Sequence, residues 1–203
     1  MMDTFIHILD QQHEIGNMSM IIDDEKYNIP KLPILMCYAL NILLVLEEGR
    51  LAYRSDVQDK NINRHLIKAV LDHNQDLMEL PYIEEEPLII LKKNYELVKN
   101  MLCSDADFHI AIGKVLGYAY TGPDWSCGIN DTYNIGYVVQ YDGGNTNLYR
   151  FIVPMDKYNG DIKQQIIDDA VKYQNILDNY GFNVNIQCML HLGGETPQII
   201  DLP

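Results

Sequence analysis

The chain has 203 residues, of which 47% are hydrophobic, and its formal net charge is −14. That length predicts one large domain or two small, closely packed ones, and the apolar content argues against a disordered chain. So acidic a surface repels phosphate groups, and no Lys/Arg cluster offsets this repulsion, which argues against binding to nucleic acid or to an anionic membrane. The charge permits a partner protein with a basic surface, or a cation. Solubility alone also explains the acidity.

The number and spacing of the cysteines bear on the cellular compartment and on whether the chain binds a metal. Cys37, Cys103, Cys127 and Cys188 are widely spaced, and none forms a CxxC pair or lies near a histidine at zinc-ligand spacing. Met1–Leu9 lacks the basic start and the long apolar run of a signal peptide. We therefore predict reduced thiols in a cytoplasmic, intracellular location, no metal site and no cofactor.

The chain begins with a segment of ambiguous period and continues with a strongly apolar one. Asp3–His13 fits a short helix or a strand equally well. Ile34–Leu46 is about 13 residues long, short of the roughly 20 that span a bilayer. It predicts a buried core helix that ends at Gly49.

Two further helices follow in the sequence pattern. The first is predicted over Asp59–Glu79 and is stopped by Pro81. The second is predicted to begin at the acidic segment Glu84–Pro87, since negative charge is favoured at a helix start. Its core-facing side chains recur at helical spacing: Leu88, Leu91, Tyr95, Val98 and Leu102.

The next helix begins with a recognisable cap. Ser104–Asp107 has the form of a capping box, although Glu or Gln is commoner than Asp at its last position. The Asp105 and Asp107 pair also fits a metal site, but a capped helix start explains both carboxylates and is the preferred interpretation. Gly117 is the natural end of this helix.

After residue 117 the periods become strand-like. Tyr133–Tyr141 and Asn147–Val153 flank Asp142–Asn145, which predicts a hairpin. Asp161–Tyr180 has the spacing of an amphipathic helix, and Val184–Leu192 alternates as a strand with one buried and one more polar face.

These elements predict an α+β fold with two regions. A helical N-terminal half, residues 1–118, is predicted to pack on a small mixed sheet of β-β-α-β order formed by residues 119–203. Together the two regions are predicted to form one compact domain.

The turn-rich segment 117–134 is the first candidate site. It holds the chain's only tryptophan among residues that favour turns, and loops on a rigid scaffold commonly carry binding side chains. The candidate ligand-binding residues are Tyr118, Tyr120, Asp124, Trp125, Asn130 and Asp131. The alternative is that the tryptophan fills the seam between the halves while the polar residues form turns.

Catalysis is the second question that the sequence raises. Cys127 with His109 or His191 would make a nucleophile and base pair. Asp156, His191 and Glu195 could meet beyond the strand ends, where His and a carboxylate would make a general base. The alternative interpretations are an inert cysteine and a surface histidine, and nothing near Cys127 matches a known nucleophile signature.

The common catalytic and nucleotide-binding signatures are absent from the sequence. We therefore hypothesise a non-enzymatic protein-interaction or assembly component, which forms an oligomer if it is a subunit of a larger assembly. The rival hypothesis is a small-molecule-binding protein or hydrolase-like enzyme with its site in 117–134. An amino-acid composition rich in Ile, Asn, Asp and Tyr is typical of proteins from AT-rich genomes, including many viral ones, so a viral source is one hypothesis.

Overall fold

The computed structural model describes residues 19–22, 25–28, 32–54, 71–72, 74–83, 86–104, 107–122, 131–141, 144–180, 184–192 and 197–200. Its strands are β1 (Ser19–Ile22), β2 (Glu25–Asn28), β3 (Ala52–Arg54), β4 (Leu77–Ile83), β5 (Glu86–Leu91), β6 (Thr132–Tyr141), β7 (Gly144–Pro154), β8 (Asn185–Leu192) and β9 (Gln198–Ile200). Its helices are α1 (Leu32–Leu46), α2 (Tyr95–Ser104), α3 (Phe108–Leu116) and α4 (Gly160–Asn179). The prediction for Asp3–His13 lies outside the described residues.

The mixed α+β character is present, but the predicted helical N-terminal half is wrong. Within that half, β1 and β2 pair as a hairpin, and β3, β5 and β4 form an antiparallel sheet in that order. The predicted mixed sheet is also wrong, because the order β7-β6-β8-β9 has every neighbouring pair antiparallel. The strands that flank α4 are therefore parallel to each other, but β6 lies between them.

The helix predicted over β5 is wrong because the apolar residues of this strand are consecutive. Leu88, Ile89, Ile90 and Leu91 are all buried, since β5 is the central strand of the three-stranded sheet. A short continuous apolar run contains the spacing of a helix as well as that of a strand buried on both faces, so periodicity alone cannot separate them. The helix in this region, α2, begins only at Tyr95.

The predicted helix over Asp59–Glu79 is wrong at its end. Leu77–Ile83 is β4, whereas Leu71 and Asp72 are helical and the residues between 54 and 71 lie outside the described part. Pro81 therefore stands in a strand. β4 is an edge strand with an irregularity between Leu80 and Ile83, where a residue without an N–H donor is tolerated.

The prediction of a buried core helix is confirmed by α1. Its residues from Leu40 to Val45 are all buried, with Asn41 among them. This burial on every side arises because α1 packs against β7 of one sheet and against β3 and β5 of the other. None of the helices in the described ranges is long and apolar enough to cross a membrane.

The connection after α1 differs from the prediction in detail. The left-handed residue is Glu48, with φ 56°, and not Gly49. Gly49 is needed for space instead, because a Cβ there would lie 2.8 Å from Cδ1 of Ile176 on α4. The absence of a side chain lets the end of α1 approach α4 closely.

The predicted capped helix is present as α3, with a shifted cap. The N-cap is Asp107, whose Oδ1 accepts a hydrogen bond from the backbone N–H of His109 at 2.9 Å, whereas Ser104 ends α2. Gly117 ends α3 with φ 73°, as predicted. Asp105 lies outside the described residues.

The hairpin, the helix and the alternating strand predicted after residue 131 are each present, and β9 is a further strand that was not predicted. β6 and β7 form the hairpin, and β8 forms the alternating strand. The N-cap of α4 is Asn159, whose side chain accepts from the N–H groups of Asp161 and Ile162. The helical spacing of Asp161–Tyr180 predicts one core-facing stripe: Ile162, Ile166, Ala170, Tyr173, Leu177 and Tyr180. The four central residues of this stripe are buried, whereas Ile162 and Tyr180 at its ends are half-buried.

Two hydrophobic clusters are formed among the described residues. The larger joins α1 and α4 to the four-stranded sheet, and the smaller joins α2 and α3 to the three-stranded sheet. Tyr118, between α3 and β6, packs against both clusters. The two regions predicted from the sequence, 1–118 and 119–203, therefore share packed side chains.

Candidate functional site

The structure describes only part of the predicted loop site. Asp124, Trp125, Cys127 and Asn130 lie outside the described residues, as does Glu195. Their predicted roles in binding and catalysis stay predictions.

The two described tyrosines of the 117–134 segment make internal contacts. The Tyr118 ring stacks on Phe151, with centroids 5.4 Å apart and planes 17° apart. Tyr120 packs against the larger hydrophobic cluster, to which Phe151 belongs. Its hydroxyl lies over Gly122, where a Cβ would come within 1.9 Å of it. Much of the aromatic surface that suggested ligand binding is thus in contact with the protein itself.

The predicted acid–base residues, and Asp131 from the predicted ligand-binding set, are spread over several elements. His109 is exposed on the first turn of α3, and His191 is half-buried on β8 of the other sheet. Asp131 is exposed before β6, where its carbonyl accepts from the N–H of Met155 at 2.9 Å. Asp156 is exposed and pairs with Lys157 at 3.1 Å. Within the described ranges, no group of three or more His, Cys, Asp or Glu could hold a metal.

A groove of about 550 Å³ runs along one side of α4 and ends at Glu47, just beyond α1. Three of its lining side chains are aliphatic and half-buried. Ile167 and Val171 lie one turn apart on one flank of the lining, whereas Ile176 lies on the opposite flank, beside the end of α1. The remaining lining side chains are polar and exposed: Glu47, Gln164, Asp168, Lys172, Asn175 and Asn179. We call this feature the α4 groove.

The single cation of the α4 groove lining is directed toward the end of α1. Lys172 Nζ donates to the carbonyl oxygens of Glu48 and Gly49, at 3.2 and 3.1 Å. A cation is favoured there because the carbonyl end of a helix carries partial negative charge. The carboxylates of Glu47 and Asp168 form the acidic rim of the groove; Lys172 keeps its positive charge in these contacts, so two negative charges and one positive charge leave the lining with a net charge of −1.

Each rim carboxylate has one neighbour that orients it. Gln164 Nε2 donates to Asp168 Oδ1 at 2.8 Å, one helical turn away. The hydroxyl of Tyr180 donates to Glu47 Oε1. This hydrogen bond, with partial burial and the charge of Glu47, raises the pKa of Tyr180 to about 12, so the hydroxyl stays protonated across the physiological range.

A carboxylate lies behind the groove, on the inner side of α4. Asp169 Oδ1 accepts from Gln165 Nε2 at 3.1 Å, whereas the buried Oδ2 meets no hydrogen-bond donor among the described residues. Burial raises the pKa of Asp169, and this outweighs the opposing effects of Gln165, Lys172 and Arg50. Burial and, second, the charge of Asp169 also raise the pKa of the Cys188 thiol to about 12, which makes that thiol a poor nucleophile.

We expect Asp169→Asn to raise the free energy of unfolding by about 1 kcal/mol at neutral pH, because the amide carries no charge to desolvate. A carboxyl whose pKa is raised by folding favours the native state most when it is protonated. The gain should therefore shrink as the pH falls through the raised pKa toward about 4. Urea unfolding of the parent and the variant at neutral pH and near pH 4 measures this gain in stability.

Asp178→Asn is the matched control for this substitution. Asp178 also accepts from a glutamine one turn earlier, Gln174, but it is exposed, so a change within about 0.5 kcal/mol is expected. An Asp169→Asn variant that is less stable than the parent at neutral pH would show that the attractions of Gln165, Lys172 and Arg50 together exceed the penalty of burial.

The sequence pattern did not reveal the α4 groove. Its two carboxylates come from distant parts of the chain, because Glu47 follows α1 whereas Asp168 lies on α4. Tyr180, whose hydroxyl contacts Glu47, lies 133 positions after it in the sequence. The local signal is a set of aliphatic residues that flank the buried face of α4, with Ile167 and Val171 on one side and Ile176 on the other, and widen its apolar surface.

No protein-family model, no curated protein and no solved structure matches this chain. What it does has to be inferred from the described surfaces and their charges.

Proposed function

We propose that this chain is a non-enzymatic interaction protein that binds a basic, partly apolar segment of a partner protein in the α4 groove. The observation that carries the proposal is the combination, in one groove, of three half-buried aliphatic side chains with the two exposed carboxylates of Glu47 and Asp168, while Lys172 donates to backbone carbonyl oxygens just beyond α1. Apolar burial supplies affinity, and charge complementarity supplies orientation and selectivity.

The shape of the α4 groove suits a peptide segment. From Gln164 to Asn179 the lining follows about four turns, or about 22 Å, of α4. Most of the lining side chains are exposed, whereas small-molecule sites enclose most of their ligand within mainly apolar walls. A helix of about four turns laid along α4 would reach both Ile167 and Glu47, and helix-in-groove recognition commonly uses such a surface.

The net charge of −14 favours a basic partner at longer range as well. An acidic protein attracts a basic partner before contact, which raises the association rate at low salt. The proposal includes an assembly role, with the partner a neighbouring subunit, and a reducing intracellular location, in which the widely spaced cysteines keep their thiols. The rival small-molecule or hydrolase-like function stays a prediction: Asp124, Trp125 and Cys127 lie outside the described residues, while Tyr118 and Tyr120 make internal contacts.

The test uses a fluorescein-labelled amphipathic Lys/Leu peptide of about 16 residues, which as a helix matches the length of the groove. We expect Asp168→Asn to weaken its binding about threefold, because one exposed charge contact contributes less than about 1 kcal/mol. Adding Glu47→Gln should bring the loss to about tenfold. Fluorescence anisotropy measures both, at low and at physiological salt.

Asp178→Asn again serves as the matched control, because it removes the same charge and the same Gln–Asp contact from α4 outside the groove. It should leave the affinity unchanged, and a Glu/Leu peptide of equal length should not bind. Equal weakening by Asp168→Asn and Asp178→Asn would attribute binding to overall charge and would overturn the proposal.

A further inference from the structure

The carboxylate of Glu47 at the end of the α4 groove already has an internal partner. The hydroxyl of Tyr180, which follows α4, donates to Oε1 of this carboxylate. The tyrosine ring is half-buried and packs at the border of the larger hydrophobic cluster, so the hydroxyl is held near Glu47 by a fixed ring. The high pKa of Tyr180 keeps the hydroxyl a donor at physiological pH.

We propose that Tyr180 determines which cation the groove accepts: by holding Oε1 of Glu47, it leaves Oε2 for the partner and favours a lysine over an arginine there. This inference rests on the proposed function. The guanidinium of Arg binds a carboxylate best through two parallel hydrogen bonds, one to each oxygen. The Lys ammonium is a compact point charge that binds well through one oxygen. A hydroxyl fixed on one oxygen therefore hinders the two-point contact of Arg and permits the one-point contact of Lys.

The remaining rim carboxylate does not impose the same selection. Asp168 accepts from Gln164, whose flexible amide lies on the exposed side of α4 and can turn away when a ligand binds. The fixed ring of Tyr180 cannot do so without leaving its packing against the cluster. The selection between Lys and Arg should accordingly depend on Tyr180 and Glu47.

The test compares Tyr180→Phe with the parent, using the Lys/Leu peptide and an Arg/Leu peptide of the same length and pattern. Phenylalanine keeps the ring and its packing but removes the donor. We expect the variant to bind the Arg/Leu peptide about threefold more tightly, with little change for the Lys/Leu peptide, because a two-point contact replaces a one-point contact. Tyr95→Phe, a half-buried tyrosine on α2 outside the groove, is the control and should change neither affinity.

The outcomes separate this inference from the function on which it rests. If Tyr180→Phe leaves the ratio of the two affinities unchanged while Asp168→Asn still weakens binding, the inference fails and the proposed function stands. Equal tightening for both peptides also overturns it, since Tyr180 would then hinder every cation. If Asp168→Asn has no effect beyond that of Asp178→Asn, the proposed function itself fails.

Discussion

Replacing Asn41 by leucine is expected to lower the free energy of unfolding by about 3 kcal/mol, because it removes hydrogen bonds to a buried guanidinium and to a buried carbonyl. Asn41 is fully buried in α1, and its amide nitrogen donates to the carbonyl oxygens of Cys37 and Leu148, both at 2.9 Å. Its amide oxygen accepts from Nη1 of Arg50, which is only 5% exposed. Leucine fills the same space but would leave a buried guanidinium and a buried carbonyl with fewer partners.

The reason for so polar a group in an apolar helix lies in β7. Leu148 is the extra residue of an irregularity between the pairs Tyr137↔Tyr149 and Val138↔Asn147, and Asn41 reaches across to bond its carbonyl. Arg50 in turn donates through Nη2 to the carbonyl of Leu116, in the last turn of α3, at 3.2 Å. The network thus ties α1 to a strand of one sheet and to a helix packed on the other.

A double-mutant cycle with Arg50→Met tests this explanation. If the two side chains act through their contact, Asn41→Leu should cost at least about 1 kcal/mol less in the Arg50→Met variant than in the parent. Urea unfolding of the parent, the two single variants and the double variant gives all four values. Additive losses, or a loss below about 1 kcal/mol for Asn41→Leu alone, would contradict the network as a main tie of the fold.

Phe151→Ala is the second substitution with a large expected effect, about 3 to 5 kcal/mol of lost stability. The Phe151 side chain is buried in β7, stacks on Tyr118 and lies 6.3 Å from the ring of Tyr137. Removal of the ring leaves a cavity and ends an aromatic pair that holds the segment after α3 against the larger cluster. Thermal and urea unfolding measure the loss.

Ile152→Ala is its matched control. Ile152 is the next residue of the same strand and is 40% exposed, because adjacent side chains of a strand point to opposite faces. Its removal should cost less than about 1 kcal/mol. Similar losses for the two substitutions would show that the seam beside Tyr118 is not tightly packed.

The parts of the fold that were predictable are those whose local pattern has one interpretation. The period of Ile166, Ala170, Tyr173 and Leu177 fits only a helix, and the turn residues Asp142–Asn145 between two alternating segments fit only a hairpin. Each signal lies within one element, so the rest of the fold did not need to be known.

The errors occurred where tertiary contacts decide. Leu88–Leu91 becomes a strand because β3 and β4 pair with it on both sides, and no residue within the run signals those partners. The parallel pairing implied by a β-α-β unit failed because β6 lies between β7 and β8. The α4 groove escaped notice for the same reason, since Glu47 meets α4 only in the folded chain.

The central claim is that the α4 groove is the surface that binds a partner. A backbone-amide NMR titration of the labelled protein with the Lys/Leu peptide tests it most directly. The account predicts shift changes concentrated at Glu47 and along the groove side of α4, from Gln164 to Asn179, with little change from Tyr118 to Gly122. Changes concentrated in the 117–134 segment, or spread evenly over the acidic surface, would contradict it.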